Sequence, residues 1–411
     1  MNFDYILMYV VSYFGLFTSI FFLLTLLENS KRLKNPKLKT FPKVSIIVPA
    51  YNEEKTIAKT VKSLLNLNYP KDRFEVIVVD DGSKDNTFKV ASSFKVKNLR
   101  VFRKENGGKA SALNFALDLC SGEFVGALDA DSFVTKDALR KIVGYFENPQ
   151  VMAVTPSLKV YQPISILQKI QKIEYIFGTF LRKIFAFLGS IHVTPGPFTI
   201  YRKVFFDRYG KYDPNNLTED IEIALRIQTH KFIIENSVDA TVYTIAPKTF
   251  KPLMKQRLRW YVGFINNVFN YKHLFSPKYG NLGMFVLPAA FISAFLVIIT
   301  LFYTLYKFTS NTIQRITNWI AIDFDLKRLF KWNFDAFFIN LNSIAILAIL
   351  ALIVGIMVII IAKVLSKEKS SIKVSYIFYL LFYWFLYGLW WFLAGMSKLT
   401  GKKIYWGHKS L

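Results

Sequence analysis

Acidic residues stand at four points where an apolar run gives way to turn chemistry. Pro49-Ala50-Tyr51-Asn52-Glu53-Glu54 ends one such run, Asp80-Asp81-Gly82-Ser83 a second and Asp129-Ala130-Asp131 a third. Two carboxylates with one residue between them, just past a buried strand, can direct oxygens toward one divalent cation. The fourth point is Thr218-Glu219-Asp220, which follows the turn-rich stretch 213–216 and precedes a helical pattern over 221–228. Asp220 there is placed to act as a general base, taking the proton of an incoming hydroxyl. Taken singly, each of these acids also serves as an ordinary helix cap, and Thr218 reads as an N-cap with acids in the first turn. Further on, Gln256 and Trp260 are four apart and share a helical face with Arg259, which sets an amide, a cation and an aromatic plate together. A helix snorkelling at a membrane surface uses Arg and Trp in the same way.

The rest of the composition limits what these groups can do. One cysteine, Cys120, excludes an intramolecular disulfide framework and a Cys-built zinc site, and the four histidines form no His-pair motif. Any metal is therefore held by carboxylates. The chain has 53 Lys+Arg against 28 Asp+Glu, a net charge of +25. Because the sequence also contains runs long enough to span a bilayer, that charge suits anionic lipid headgroups and an anionic small substrate rather than nucleic acid.

The elements that must position the acids follow α/β grammar. Residues 44–48, 75–79, 99–103, 124–128 and 151–154 are mostly continuous apolar runs, as expected of strands buried on both faces, with helical stretches between them. Helix starts are expected after Asp81-Gly82-Ser83 and Asn106-Gly107-Gly108. In open sheets of this kind ligands bind at the carboxyl ends of strands, where the acids stand.

Residues 5–27 carry no charge and are long enough for one membrane helix. The linker after it holds Lys31, Arg32, Lys34, Lys37, Lys39 and Lys43, which places the following domain in the cytoplasm by the positive-inside rule. Further spans are expected at 282–306, 343–362 and 376–396, four in all, with a loop over 307–342. Alternation then puts Lys398, Lys402, Lys403 and Lys409 outside, against the positive-inside tendency, which leaves open a re-entrant or miscounted span. Between 164 and 188, Ile166, Ile170, Ile173, Phe177, Phe180 and Ile184 recur at helical spacing opposite Lys169, Lys172 and Lys183, the pattern of an interface helix or of a core-packed amphipathic one. A second such stretch covers 250–269. The aromatic group Tyr379, Phe382, Tyr383, Trp384, Tyr387, Trp390 and Trp391 reads as an interface belt, bundle packing or a sugar-lined channel. The expected organisation is a first span with its basic linker over 1–43, a catalytic domain over 44–249, an interface helix over 250–275 and a membrane region with a basic tail over 282–411.

Taken in order, the pieces resemble the membrane-integrated glycosyltransferases of family two, a group that includes cellulose, chitin, hyaluronan and poly-N-acetylglucosamine synthases and single-transfer ceramide glucosyltransferases. The resemblance covers about residues 43–263 and rests on Pro-x-Tyr-Asn-Glu, Asp-Asp-Gly, Gly107-Gly108-Lys109-Ala-Ser-Ala-Leu-Asn114, Asp-x-Asp, Thr-Glu-Asp and Gln-x-x-Arg-Trp. It implies an α/β GT-A (Rossmann-like) cytosolic domain with transmembrane and interface helices. It implies a hexosyltransferase using a nucleotide-diphosphate sugar donor, expected to be UDP-linked. Ala50, Tyr51, Glu53, Asp80 and Asp81 would contact the nucleoside, and Lys109 its ribose or diphosphate side. Asp129 and Asp131 would hold Mg2+ or Mn2+, with Asp129 also on the donor, and Gln256 and Arg259 would bind the leaving diphosphate. Trp260 and Glu219 would meet the acceptor, with Asp220 as the base of a direct, inverting displacement. The stretch 195–202 resembles the acceptor-side strand of that family. The acceptor is expected to be a growing polysaccharide, extended and exported. A membrane lipid receiving one sugar is the rival, and a non-catalytic scaffold or transporter is the reading of another class.

Overall fold

The computed structural model describes residues 3–321 and 343–401. A long apolar helix, α1 (Phe3–Glu28), leads through the basic linker into β1 (Val44–Ala50), α2 (Ile57–Leu65), β2 (Phe74–Asp80), α3 (Thr87–Ser92), β3 (Leu99–Arg103) and α4 (Lys109–Leu119). There follow β4 (Phe124–Ala127), β5 (Ser132–Val134), α5 (Ala138–Val143), β6 (Val151–Val160), α6 (Ile166–Phe187), β7 (Ile200–Arg202) and α7 (Lys203–Tyr209). The chain continues through α8 (Glu219–Thr229), β8 (Ile233–Thr244) and α9 (Phe250–Asn270) to α10 (Leu287–Ala321), α11 (Ser343–Leu365), α12 (Lys373–Phe378) and α13 (Trp384–Thr400).

The eight strands form one mixed sheet in the order β3-β2-β1-β4-β7-β6-β8-β5. Strands β1 to β4 pair in parallel, with Ala50 opposite Asp80 and Ile47 opposite Ala127. All seven residues of β1 are buried, because helices cover both faces and a Val/Ile run satisfies both. This arrangement is GT-A-like. The antiparallel strands β5 and β7, three residues each, are too short to carry a readable period, and β8 alternates its burial. Strand β6 runs six residues beyond the apolar stretch that announces it. It passes through Thr155-Pro156-Ser157, where the Asn236 side chain of β8 donates to the Thr155 hydroxyl and to the Thr155 and Pro156 carbonyls, and the buried Ser157 hydroxyl pairs with that of Thr179.

Helix α6 opens with a capping box in which the Ser165 hydroxyl accepts from the Gln168 amide and the Gln168 side chain accepts from Ser165. It lies between the sheet and the apolar helices, with Ile173, Phe180 and Ile184 packed against Leu23, Leu26 and Val358. One lysine departs from the expected polar face. Lys183 is buried, donates to the Asn236 carbonyl at 3.0 Å, and is pushed down to about 8 by that burial.

Four helical stretches among the described residues, 3–28, 282–321, 343–365 and 374–400, are long and apolar enough to cross a membrane. The second is longer than its apolar core. Residues 307–321, expected in a loop, continue α10, and Lys307 pairs with Asp4 at 2.8 Å. The remainder of that expected loop, 322–342, and the tail lysines Lys402, Lys403 and Lys409 lie outside the described residues.

Candidate active site

At the carboxyl ends of β1, β2 and β4 a cavity of about 620 Å³ opens toward α6, α8 and α9. Its wall includes Ala50, Tyr51, Glu53, Asp81, Lys109, Asp129, Asp131, Glu219, Asp220, Gln256, Arg259 and Trp260. Of the residues singled out from the sequence, Asp80 stands behind this wall. It is buried, accepts from the Ser83 amide at 3.2 Å and lies 3.1 Å from the Arg103 guanidinium.

The floor is built by short turns that hold one another. The Asn52 and Glu53 amides donate to the hydroxyls of Ser83 and Thr87 at 2.9 and 2.7 Å, and Asn52 takes a left-handed backbone, which Asn tolerates. Asp81 accepts from Lys104 at 2.8 Å and from the amides of Gly107 and Gly108 at 3.0 and 2.7 Å. Gly108, with φ of +89°, makes that turn and starts α4 so that Lys109 enters the cavity.

Lys109 is the electrostatic hub. Its ammonium lies 2.8 Å from Asp129 Oδ1 and 2.8 Å from Glu219 Oε1, joining the end of β4 to the start of α8. Burial alone would lower its pKa, but the two carboxylates hold it above the usual lysine range. Glu219 is correspondingly held below the ordinary carboxylate range despite burial, through Lys109 and then Arg259. Two acids go the other way. Asp131 is pushed up to about 7 by burial, then by Asp129 and Glu53, and Asp220 to about 6 by burial, then by Glu219. Glu53 is also raised by burial.

Carboxylates that repel one another at Asp129, Asp131 and Glu53 favour a cation, and hard oxygen donors suit Mg2+ or Mn2+. Among the described residues no group of three or more His, Cys, Asp or Glu forms a metal cage. Asp129 and Asp131 therefore fit a divalent ion whose other ligands come from substrate phosphates and water, the usual mode for Mg2+. A side chain at Gly196 would approach Lys109 Nζ to 2.9 Å, so the 195–197 segment lies directly against this pair.

The Thr-Glu-Asp turn is held by α9. Thr218 occupies the N-cap of α8 with acids in the first turn, as expected, but its side chain makes no capping hydrogen bond. Its hydroxyl instead accepts from Asn267 Nδ2 at 2.9 Å, and its carbonyl takes the first helical amides. Gly263 permits this packing, since a Cβ there would collide with the Thr218 side chain. The Asp220 carbonyl accepts from the amide and hydroxyl of Thr194 at 3.1 and 2.7 Å. Across the cavity the buried Gln256 Oε1 has no hydrogen-bond partner among the described residues, and Arg259 donates to the Leu217 carbonyl at 3.2 Å.

Several residues here are absent from the motif reading. Glu174 of α6 pairs bidentately with the buried Arg257 at 2.8 and 2.7 Å, and the Arg257 guanidinium lies 4.3 Å from the Trp260 ring centre. The sequence held one signal, since Glu174 is the only carboxylate in α6. Arg182, pushed down to about 10 by burial, also lines the cavity, as do Tyr387 and Trp391 of α13, two members of the aromatic group whose pattern fits an interface belt, bundle packing or a sugar-lined channel.

Residues 45–210 match the model for glycosyl transferase family 2. A poly-beta-1,6-N-acetyl-D-glucosamine synthase of Staphylococcus epidermidis is 35% identical over 229 residues, 54% of either chain. The Staphylococcus aureus (strain COL) synthase of the same name is 32% identical over 270 residues, 64% of this chain and 65% of its own. The matches thus span between half and two thirds of these relatives. A mannosyltransferase of Pyrobaculum calidifontis, solved with GDP-Man and Mn2+, has the same fold at TM-score 0.59 and 19% identity, covering 96% of this chain and 100% of its own.

Proposed function

We propose that this chain is a membrane glycosyltransferase of family two that moves a sugar from a nucleotide-diphosphate donor to a growing polysaccharide with inversion. The observation that carries the reading is the convergence of Asp129, Lys109, Glu219 and Asp220 with Arg259 and Trp260 around one cavity, although they come from four separate segments. The names of the two staphylococcal relatives support an N-acetylglucosamine polymer, with UDP as the expected carrier.

In this reading Asp220 removes the proton of the acceptor hydroxyl as its oxygen attacks the sugar C1 and the bond from C1 to the diphosphate oxygen breaks. The burial that raises Asp220 makes it a stronger base than a solvent-exposed aspartate, and it remains ionised near neutral pH. Arg259 and Gln256 face the departing diphosphate, and Lys109 keeps Asp129 and Glu219 in place around it. A divalent cation held by Asp129 and Asp131 would neutralise charge on that leaving group. Trp260 offers an indole face beside the base on which a sugar ring can stack. The basic linker after α1 supports a cytoplasmic position for the catalytic domain.

The test is to incubate detergent-solubilised protein with a panel of nucleotide sugars and Mg2+ or Mn2+ and to size the product by mass spectrometry. A ladder of oligosaccharide lengths is expected from UDP-N-acetylglucosamine. A single one-sugar lipid, unchanged as donor is raised, would replace the polymer reading with the lipid-acceptor one. Absence of both transfer and donor hydrolysis would overturn the enzymatic reading.

A further inference from the structure

We propose that the fourth long apolar stretch, 374–400, does not cross the bilayer. It lies along α9 on the catalytic-domain side, with its outer face in lipid, so that the chain leaves α13 on the side where the catalytic domain stands.

Both ends of the stretch are tied to that side. Just before it, Lys367 pairs with Asp239 of β8 at 2.7 Å and Glu368 with Lys172 of α6 at 3.1 Å. Tyr383, one turn into the aromatic segment, is buried with Ile170 of α6 and Leu253 of α9. At the far end, Lys398 donates to Asn266 at 2.8 Å and lies 5.7 Å from the Phe269 ring centre, in the last turns of α9. Helix α9 is itself fastened to the catalytic domain at both ends. Gln171 of α6 donates to the Pro247 carbonyl just before it at 2.9 Å, while Asn267 bonds Thr218 and Tyr271 bonds Glu222 at 2.6 Å.

Between these ends the contacts advance in step along both helices. Arg257 meets Trp390, Tyr261 meets Tyr387 and Trp391, and Phe264 meets Trp391, with Lys398 then reaching Asn266 and Phe269. Two helices that touch in this order run side by side in the same direction. A helix of 27 residues is about 40 Å long. Had it crossed the hydrocarbon layer of about 30 Å, only one of its ends could meet the catalytic domain. Helix α10 provides the contrast, because it starts beside the domain and, about 30 Å later by helical rise, pairs Lys307 with Asp4 at the opposite end of α1.

The outer face of the stretch is apolar and has no partner among the described residues, with Ile377, Leu381, Phe385, Met396 and Leu399 exposed, and it is continuous with the spans beside it. Hydrocarbon at the leaflet boundary is the occupant that such a face fits. The path also removes the charge conflict, since Lys398 then shares a side with the basic linker 31–43.

The test compares single cysteines in a Cys120→Ser background in intact cells, using a membrane-impermeant maleimide with and without permeabilisation. Lys97→Cys marks the catalytic domain, Asn311→Cys the far end of α10, and Thr400→Cys the end of α13. Thr400→Cys is expected to label together with Lys97→Cys and on the opposite side from Asn311→Cys, and labelling together with Asn311→Cys overturns the proposal. Should the Cys120 background fail to fold, fluorescent-protein and alkaline-phosphatase fusions to the C-terminus of the unaltered chain give the same reading. Fluorescence without phosphatase activity is expected, and the reverse overturns it. A bimane label at Phe385→Cys in proteoliposomes is expected to be quenched by spin-labelled phospholipid. Lack of quenching would mean that a second copy or another protein covers the face, and would overturn the lipid assignment. None of these measurements depends on transferase activity.

Discussion

On the sheet side of the cavity, Asp81 and Asp129 stand just past the ends of β2 and β4, and Lys109, which opens α4, lies between them in sequence and pairs with Asp129. On the helix side, Trp260 rests against Arg257, which is secured by Glu174 83 positions away, with Tyr387 and Trp391 arriving from α13. The first half is a charge network centred on the Lys109 ammonium, while the second is a packed aromatic layer around one buried ion pair. In the proposed reading the first half meets the donor and the second the acceptor, so each is expected to respond to a different kind of perturbation.

The sharpest way to divide the halves is to remove the metal. Chelation is expected to abolish transfer, with Mg2+ or Mn2+ restoring it and Zn2+ alone failing to, while the fold measured by circular dichroism stays unchanged. Full activity in chelator would remove Asp129 and Asp131 from that role. Next in size is Asp220→Asn, which keeps side-chain volume but loses the proton acceptor. Transfer should fall by at least about a hundredfold with donor binding retained, and near-normal turnover in this variant would exclude Asp220 as the base.

The same residue sets a pH limb. Because burial raises Asp220 to about 6, the required ionised form is lost as pH falls through that value. The transfer rate should then drop about tenfold per unit below it, and the residual rate of Asp220→Asn should show no such limb. On the helix side, Trp260→Ala should shorten the product ladder, slowing elongation by about tenfold or more, while donor hydrolysis to water persists. Equal loss of hydrolysis and elongation would show that the two halves are not separable. The smallest effect expected is at the seam between α8 and α9. Gly263→Ala places a methyl against Thr218 and should cost about 1–3 kcal/mol of stability, seen as a lower melting temperature. An unchanged melting temperature would show that α9 can move away from the Thr-Glu-Asp turn without loss.

Much of the donor half was legible in the chain itself. The apolar runs that become β1 to β4 each end at an acid or a turn, and a parallel sheet buried on both faces requires that pattern, so Asp81, Asp129 and Asp131 stand near one another once the strands align. Asp80 and Asp81 could not be told apart in this way. Successive residues at a strand end point to opposite sides, and only the packing around Arg103 shows that Asp80 faces away from the cavity. The lysine stripe of α6 was legible as a period but not as an environment, since Lys183 is drawn inward by a carbonyl of β8.

What the sequence by itself determined was the set of strands with their terminal acids, the amphipathic character of α6 and α9, and the apolar length of four helical stretches. Local periodicity and turn chemistry act over a few residues and leave their mark there. Only the tertiary structure decided that Lys109 joins Asp129 to Glu219, that Arg257 and Glu174 brace Trp260, and that α13 runs beside α9. Those pairings join residues from about 20 to more than 100 positions apart, and an apolar run reads the same whether it crosses a bilayer or lies along its surface. Hydropathy measures how much surface is buried, whereas partner and direction are set by the packing of segments distant in the chain.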